Sequence, residues 1–205
     1  MGYTHYWYRR DREIPRNIFN AILSDFIKLV PALEDFGILL ADGHGKGVPT
    51  LDSDLISFNG KRRCGHPASY ELGIAWPTTN AGGIANPWRE DVRSKPWFGG
   101  LTIEKRICAG DCSHETCYFP RAYQDDEASF DSHPGKREGT GWQFECCKTA
   151  YKPYDLAVTA FLVIAKHHLK ESIHVVSDGV TQHWADARII CTQHLSYGID
   201  FELDR

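Results

Sequence analysis

Broad stretches of one charge are missing from this chain. Its 27 acidic and 23 basic residues nearly balance, for a formal net charge of -4, which excludes a wide phosphate-binding surface but leaves room for a local basic pocket. Nucleic acid is therefore not an expected partner. A long apolar run is missing too. The longest, Leu156 to Ala165, is broken by Thr159 and has about half the length needed to cross a bilayer. Met1 leads into the polar-aromatic GYTHYWYRR rather than a basic and then apolar stretch, so no signal peptide, no membrane partner and a cytoplasmic location are expected. Internal repeats and low-complexity tracts are absent. Seven Cys is an odd number, and Cys146 and Cys147 are adjacent, so reduced thiols are expected in place of a disulfide framework.

What is present fits a globular α+β domain. The 205 residues are 42% hydrophobic and 24% charged, and a chain of this length buries roughly 70% of its unfolded surface, so it needs no cofactor to build a core. Ten His, seven Cys, nine Tyr and six Trp stand against one Met, an inventory suited to a site of polar aromatics or metal ligands.

Periodicity gives the element order. Tyr3 to Tyr8 alternates as an opening strand, with Tyr3, His5 and Trp7 on one face and Thr4, Tyr6 and Tyr8 on the other. Pro15 stands at a helix start, and Ile18, Phe19, Ile22, Leu23, Phe26, Ile27 and Val30 follow at helical spacing up to Pro31. Gly37 to Ala41, Leu55 to Asn59, Ser69 to Trp76, His114 to Phe119 and Trp142 to Thr149 read as strands, with a tight turn expected at Asn59-Gly60. Residues 77–110 and 125–141 read as loop-rich excursions from a single domain spanning 1–205. Pro153 and Asp155 open a helix apolar on nearly every side, Ile173 to Ser177 is a strand, and Trp184 to Leu195 is a last helix. The order β-α-β-β-β-β-β-α-β-α predicts a largely antiparallel sheet with about three helices, mainly on one face.

Several motifs bear on chemistry. Asp42-Gly-His-Gly-Lys-Gly lacks phosphate-loop spacing and leads into a strand, so it forms no helix-capped anion site. Cys108, Cys112, His114 and Cys117 form a C-x3-C-x-H-x2-C cluster, with Cys64, His66 and His133 elsewhere in the chain. Such donors suit a structural zinc, although His114 and Cys117 point to opposite faces of a strand and packed free thiols are the competing reading. At Cys147 to Asp155 a strand runs into a helix start, which gathers Lys148, Thr149, Tyr154 and Asp155 near free helix N–H groups. That rim suits a small polar or anionic ligand, with His5 and Trp7 beside it. The competing reading is a plain helix cap.

The segments MGYTHYW, FNG at Phe58 to Gly60, DCSHET at Asp111 to Thr116, CKTAYKPYD at Cys147 to Asp155 and SDG at Ser177 to Gly179 resemble a family of small uncharacterised bacterial and phage proteins. The resemblance implies little about activity, since no established reaction goes with it. Two function classes follow from the residues. In the first, the chain binds a small molecule, nucleotide-derived signals included, with Lys148 and Thr149 at the anion and aromatics at a base. A phage source would place it in the host cytoplasm, where sequestering a host immune signal is the expected role. In the second, the same rim is an enzyme site of hydrolase or transferase type. There His114 and Glu115 serve as base and orienting acid, Cys147 as nucleophile, and His5 and Asp178 converge on them. A structural or protein-interaction role is the third reading.

Overall fold

The computed structural model describes residues 2–72, 106–123 and 142–204. Most of both excursions lies outside these residues, as does His133 with them. The α+β class and the antiparallel pairing hold, with the described strands divided between two sheets.

In the first sheet β1 (Thr4–Arg9) is the central strand. It pairs antiparallel with β6 (Gln143–Lys148) on one side and β7 (Ile173–Ser177) on the other. The alternation read from the sequence is the observed burial pattern: His5, Trp7 and Arg9 are buried, while Thr4, Tyr6 and Tyr8 are only partly covered. In the second sheet β4 (Leu55–Gly60) pairs antiparallel with β2 (Leu40–Ala41), β3 (Thr50–Leu51) and β5 (Cys117–Pro120).

Helix α1 (Arg16–Asp35) begins after Pro15 and buries Phe19, Ile22, Phe26, Leu29, Ala32 and Leu33. It runs through Pro31, where the sequence predicts its end. Proline removes one backbone donor, but burial of Ala32 and Leu33 beyond it holds the last turn in place. Helix α2 (Asp155–Leu169) is buried along every face from Asp155 to Ala165, because α1, α3 (Ala185–Leu195) and β7 all pack on it. Phe161 of α2 meets Phe119 of β5 at 5.0 Å and Phe26 of α1 at 5.4 Å between ring centroids, and Phe26 stacks on Phe58 of β4 at 4.9 Å. This aromatic knot joins the second sheet to the helices. Among the described residues no helix is long and apolar enough to cross a membrane.

Asn59-Gly60 is not the expected hairpin turn. Both residues belong to β4, and Asn59 spends its side chain on the loops above it. Its amide donates to the Gly43 and His114 carbonyls at 3.2 and 2.9 Å, and its oxygen accepts from His114 N–H at 3.0 Å. Gly60 allows the close approach of the Cys112 segment, since a Cβ there would lie 1.9 Å from the Cys112 carbonyl oxygen. Gly60→Ala is therefore expected to cost about 3 kcal/mol, read as a lowered urea midpoint at unchanged slope.

Candidate functional site

The register of the first sheet sets the site. His5 of β1 lies opposite Cys147 of β6 and Ser177 of β7, and directly opposed residues in antiparallel strands project to the same face. Cys147, His5 and Ser177 therefore form one row. The two flanking groups have different surroundings. Cys147 is fully buried between Tyr154 and the Glu115 carbonyl, and burial pushes its thiol above the ordinary value, against the thiolate that a nucleophile needs. Ser177, at the open end of β7, is only partly buried.

His5 bridges Ser177 to a buried ion cluster. Its Nδ1 is 3.1 Å from Ser177 Oγ and its Nε2 is 2.8 Å from Asp155 Oδ1. Asp155 is the first residue of α2, and it is saturated with donors. Thr149 Oγ1 donates to Oδ1 at 2.5 Å and Arg106 Nε donates to Oδ2 at 2.7 Å, while Arg106 Nη1 donates to Asp186 Oδ2 at 3.1 Å. His5, Asp155, Arg106 and Asp186 are at most 1% exposed. Burial works to raise the Asp155 carboxyl, but the Arg106 charge and the hydrogen bonds from His5 and Thr149 outweigh it and hold the group well below the usual carboxylate range.

An ionised Asp155 fixes the imidazole tautomer. A carboxylate only accepts, so His5 Nε2 carries the proton and Nδ1 presents its lone pair to the Ser177 hydroxyl. The rings of Tyr3 and Trp184 stand edge-on to His5 at 4.8 and 4.9 Å and hold its plane. Gly179 N–H donates to Ser177 Oγ at 3.1 Å. A Cβ on Gly179 would fall 2.4 Å from Tyr3 Oη and 2.5 Å from His183 Nδ1, so glycine lets both side chains close in on the turn beside the serine. Burial, and then the charge of Asp155, push the Tyr3 hydroxyl above its ordinary value and keep it a donor.

The residues singled out in the sequence fall mostly elsewhere. Trp7, Thr149, Tyr154 and Asp155 are buried, and the Asp155 carboxylate itself occupies the start of α2, so the rim expected to meet an anionic ligand is a bonded interior junction. His114 and Glu115 are exposed and clamp Lys148 of β6. His114 Nδ1 contacts the Lys148 carbonyl at 2.7 Å, and Glu115 Oε2 accepts the Lys148 N–H at 2.7 Å. Asp178 accepts from the Thr4 N–H and the Tyr6 hydroxyl. These side chains hold the end of the sheet rather than meeting one another.

The four-residue metal set is also rearranged. Cys117 lies in the core on β5 and His114 is tied to Lys148. Instead, Cys64, His66, Cys108 and Cys112 bring one donor atom each within 4.8 Å of one another, a cluster that could hold a metal ion.

Ser177, Arg106, Asp186 and Tyr3 escaped sequence reasoning as site residues. Only the SDG segment carried a signal, at the strand end where Ser177 stands. Arg106 closes an excursion and has no local pattern.

Away from the site, burial pushes Glu145 of β6 up to about 7, with Arg9 opposing it only in part. An acid whose proton is held more tightly when folded lends stability that is full below the ordinary carboxylate range and is lost as pH rises through about 7. Glu145→Gln is therefore expected to gain about 1–2 kcal/mol at pH 8, after allowance for solvent screening, and nothing at pH 4. Thermal melts at the two pH values measure it.

No protein family, no curated protein and no solved structure matches this chain. The functional reading therefore rests on geometry.

Proposed function

We propose that this chain is an enzyme of the hydrolase or transferase type that carries an acyl group on Ser177. The observation behind this reading is the continuous Ser177–His5–Asp155 relay, with contacts of 3.1 and 2.8 Å, in which each partner holds the protonation state the next one requires. Nucleophile, base and orienting acid in hydrogen-bond contact are the parts acyl transfer needs. The serine meets Nδ1 rather than the more familiar Nε2, and either ring nitrogen can accept the proton once the other is held by a carboxylate.

The charge of the cluster supports proton uptake. The Asp155 carboxylate lies 2.8 Å from His5 Nε2, on the side of the ring away from the serine, so positive charge developing on the imidazole meets a negative partner already in place. Ser177 Oγ attacks an ester carbonyl carbon as its proton passes to His5 Nδ1. The carbonyl π pair moves to oxygen, on the side of the Tyr3 hydroxyl. The oxyanion then re-forms the carbonyl, the C–O bond to the leaving alcohol breaks, and that alcohol takes the proton from His5. Water or a second alcohol repeats the sequence in reverse and frees Ser177. The relay thus uses the enzyme class read from the sequence with a different nucleophile and base.

Purified protein assayed against p-nitrophenyl esters of short acids is the direct test. Release of p-nitrophenolate by the native chain and its loss in folded Ser177→Ala support the reading. No release beyond the Ser177→Ala rate across the series overturns it, and retention of an unchanged small molecule would place the chain in the binding class.

A further inference from the structure

A separate feature carries an inference independent of the serine chemistry. Cys64 and His66 lie in the loop after β4, and Cys108 and Cys112 lie on the segment leading to β5. Their side chains turn inward on one point: Cys64 Sγ is 3.4 Å from Cys108 Sγ, His66 Nδ1 is 3.3 Å from Cys112 Sγ, and all four donor atoms lie within 4.8 Å of one another. A tetrahedral zinc with Zn–S near 2.3 Å and Zn–N near 2.0 Å sets its ligand atoms about 3.5–3.8 Å apart. The observed spacings bracket that figure.

The chain adopts left-handed conformations on both sides of the cluster: φ is 83° at Gly65, between the first pair of donors, and 52° and 80° at Ala109 and Gly110, between the second. Ala109 carries a side chain in that region, which costs about 1–2 kcal/mol. The imidazole is held from behind by Tyr70, stacked on it at 3.9 Å, whose hydroxyl donates to the Phe36 carbonyl. Three thiolates and a dication leave one negative charge. Lys152 supplies a nearby positive one, its Nζ donating to the Cys108 carbonyl at 2.7 Å.

We propose that Cys64, His66 Nδ1, Cys108 and Cys112 form a structural zinc site. Soft sulfur donors with one imidazole and no oxygen ligand select zinc over magnesium or calcium, and four protein ligands leave no open position for catalysis. Its place in the fold gives its role. The Cys108 N–H donates to the Tyr70 carbonyl and the Leu72 N–H to the Arg106 carbonyl, so the two limbs clipped by the metal are the same two that set Arg106 in register before it enters the core. The zinc anchors the backbone that delivers this guanidinium to Asp155.

The test is metal content by mass spectrometry of the full chain, expressed with zinc and purified under reducing conditions without chelators. About one zinc per chain is expected, falling at least tenfold in Cys112→Ser and in His66→Ala, and unchanged in Cys146→Ser, whose thiol is exposed and outside the cluster. If the cluster variants do not fold, cobalt reconstitution of the native chain decides. The visible absorption of a tetrahedral thiolate-bound cobalt, displaced by added zinc, supports the site. Native protein that takes up neither metal overturns it, as does a Cys64–Cys108 disulfide in the reduced preparation or zinc retained in the folded cluster variants. None of these readings depends on ester turnover.

Discussion

Arg106→Leu is expected to destabilise the protein by about 3–5 kcal/mol. The guanidinium is fully buried against Asp155 and Asp186, and its removal takes one counter-charge away from two carboxylates in a space water does not reach. Native chains have about 5–15 kcal/mol to lose, and for a chain of this length each kcal/mol lowers the melting temperature by about 2–4 °C. The deficit depends on pH in a defined sense. Asp155 is held below the usual carboxylate range, so its contribution is present above that range and is lost as pH falls through the lowered value. Without Arg106 the Asp155 carboxylate takes up its proton at higher pH, and the gap between variant and native protein should narrow on acidification. Urea titrations at pH 8 and pH 4 measure this, and a gap of the same size at both values would contradict the charge cluster.

The second large effect is on turnover. Ser177→Ala removes one partly exposed hydroxyl and is expected to leave the fold intact while lowering ester hydrolysis by about 10⁴-fold or more. His5→Ala is expected to cause a comparable loss, and the double variant little more than either alone, because the two groups act as one unit. Stability separates them. His5 fills a buried site against Tyr3 and Trp184, so its removal lowers the melting temperature as well, whereas Ser177→Ala does not. Equal stability loss in both with unchanged turnover would make the row purely structural.

Local patterns carried much of the fold. The alternation of β1, the apolar body of α2 and the short strand β7 were legible because each is set by its own periodicity. Asn59-Gly60 and Pro31 misled because tertiary contacts overrode local preference: Gly60 serves the Cys112 carbonyl, and apolar burial carries α1 past its proline. The site was less legible for a different reason. His5 meets Asp155 and Ser177 across separations of 150 and 172 residues, and Cys64 meets Cys108 across 44, pairings that only strand register and loop packing create. His114, Glu115 and Asp178 attracted notice as chemistry-bearing types, yet His114 and Glu115 are bonded to the Lys148 peptide groups and Asp178 to the Thr4 N–H and the Tyr6 hydroxyl at the end of the first sheet.

Covalent labelling by an alkyl fluorophosphonate tests the relay most directly, since the reagent phosphonylates an activated serine with loss of fluoride and needs no knowledge of the substrate. Peptide mapping of the folded native chain should find a single adduct on Ser177, absent from Ser177→Ala and reduced at least a hundredfold in rate in His5→Ala. A folded native chain that takes up no reagent, or one labelled on another residue with Ser177 untouched, would contradict it.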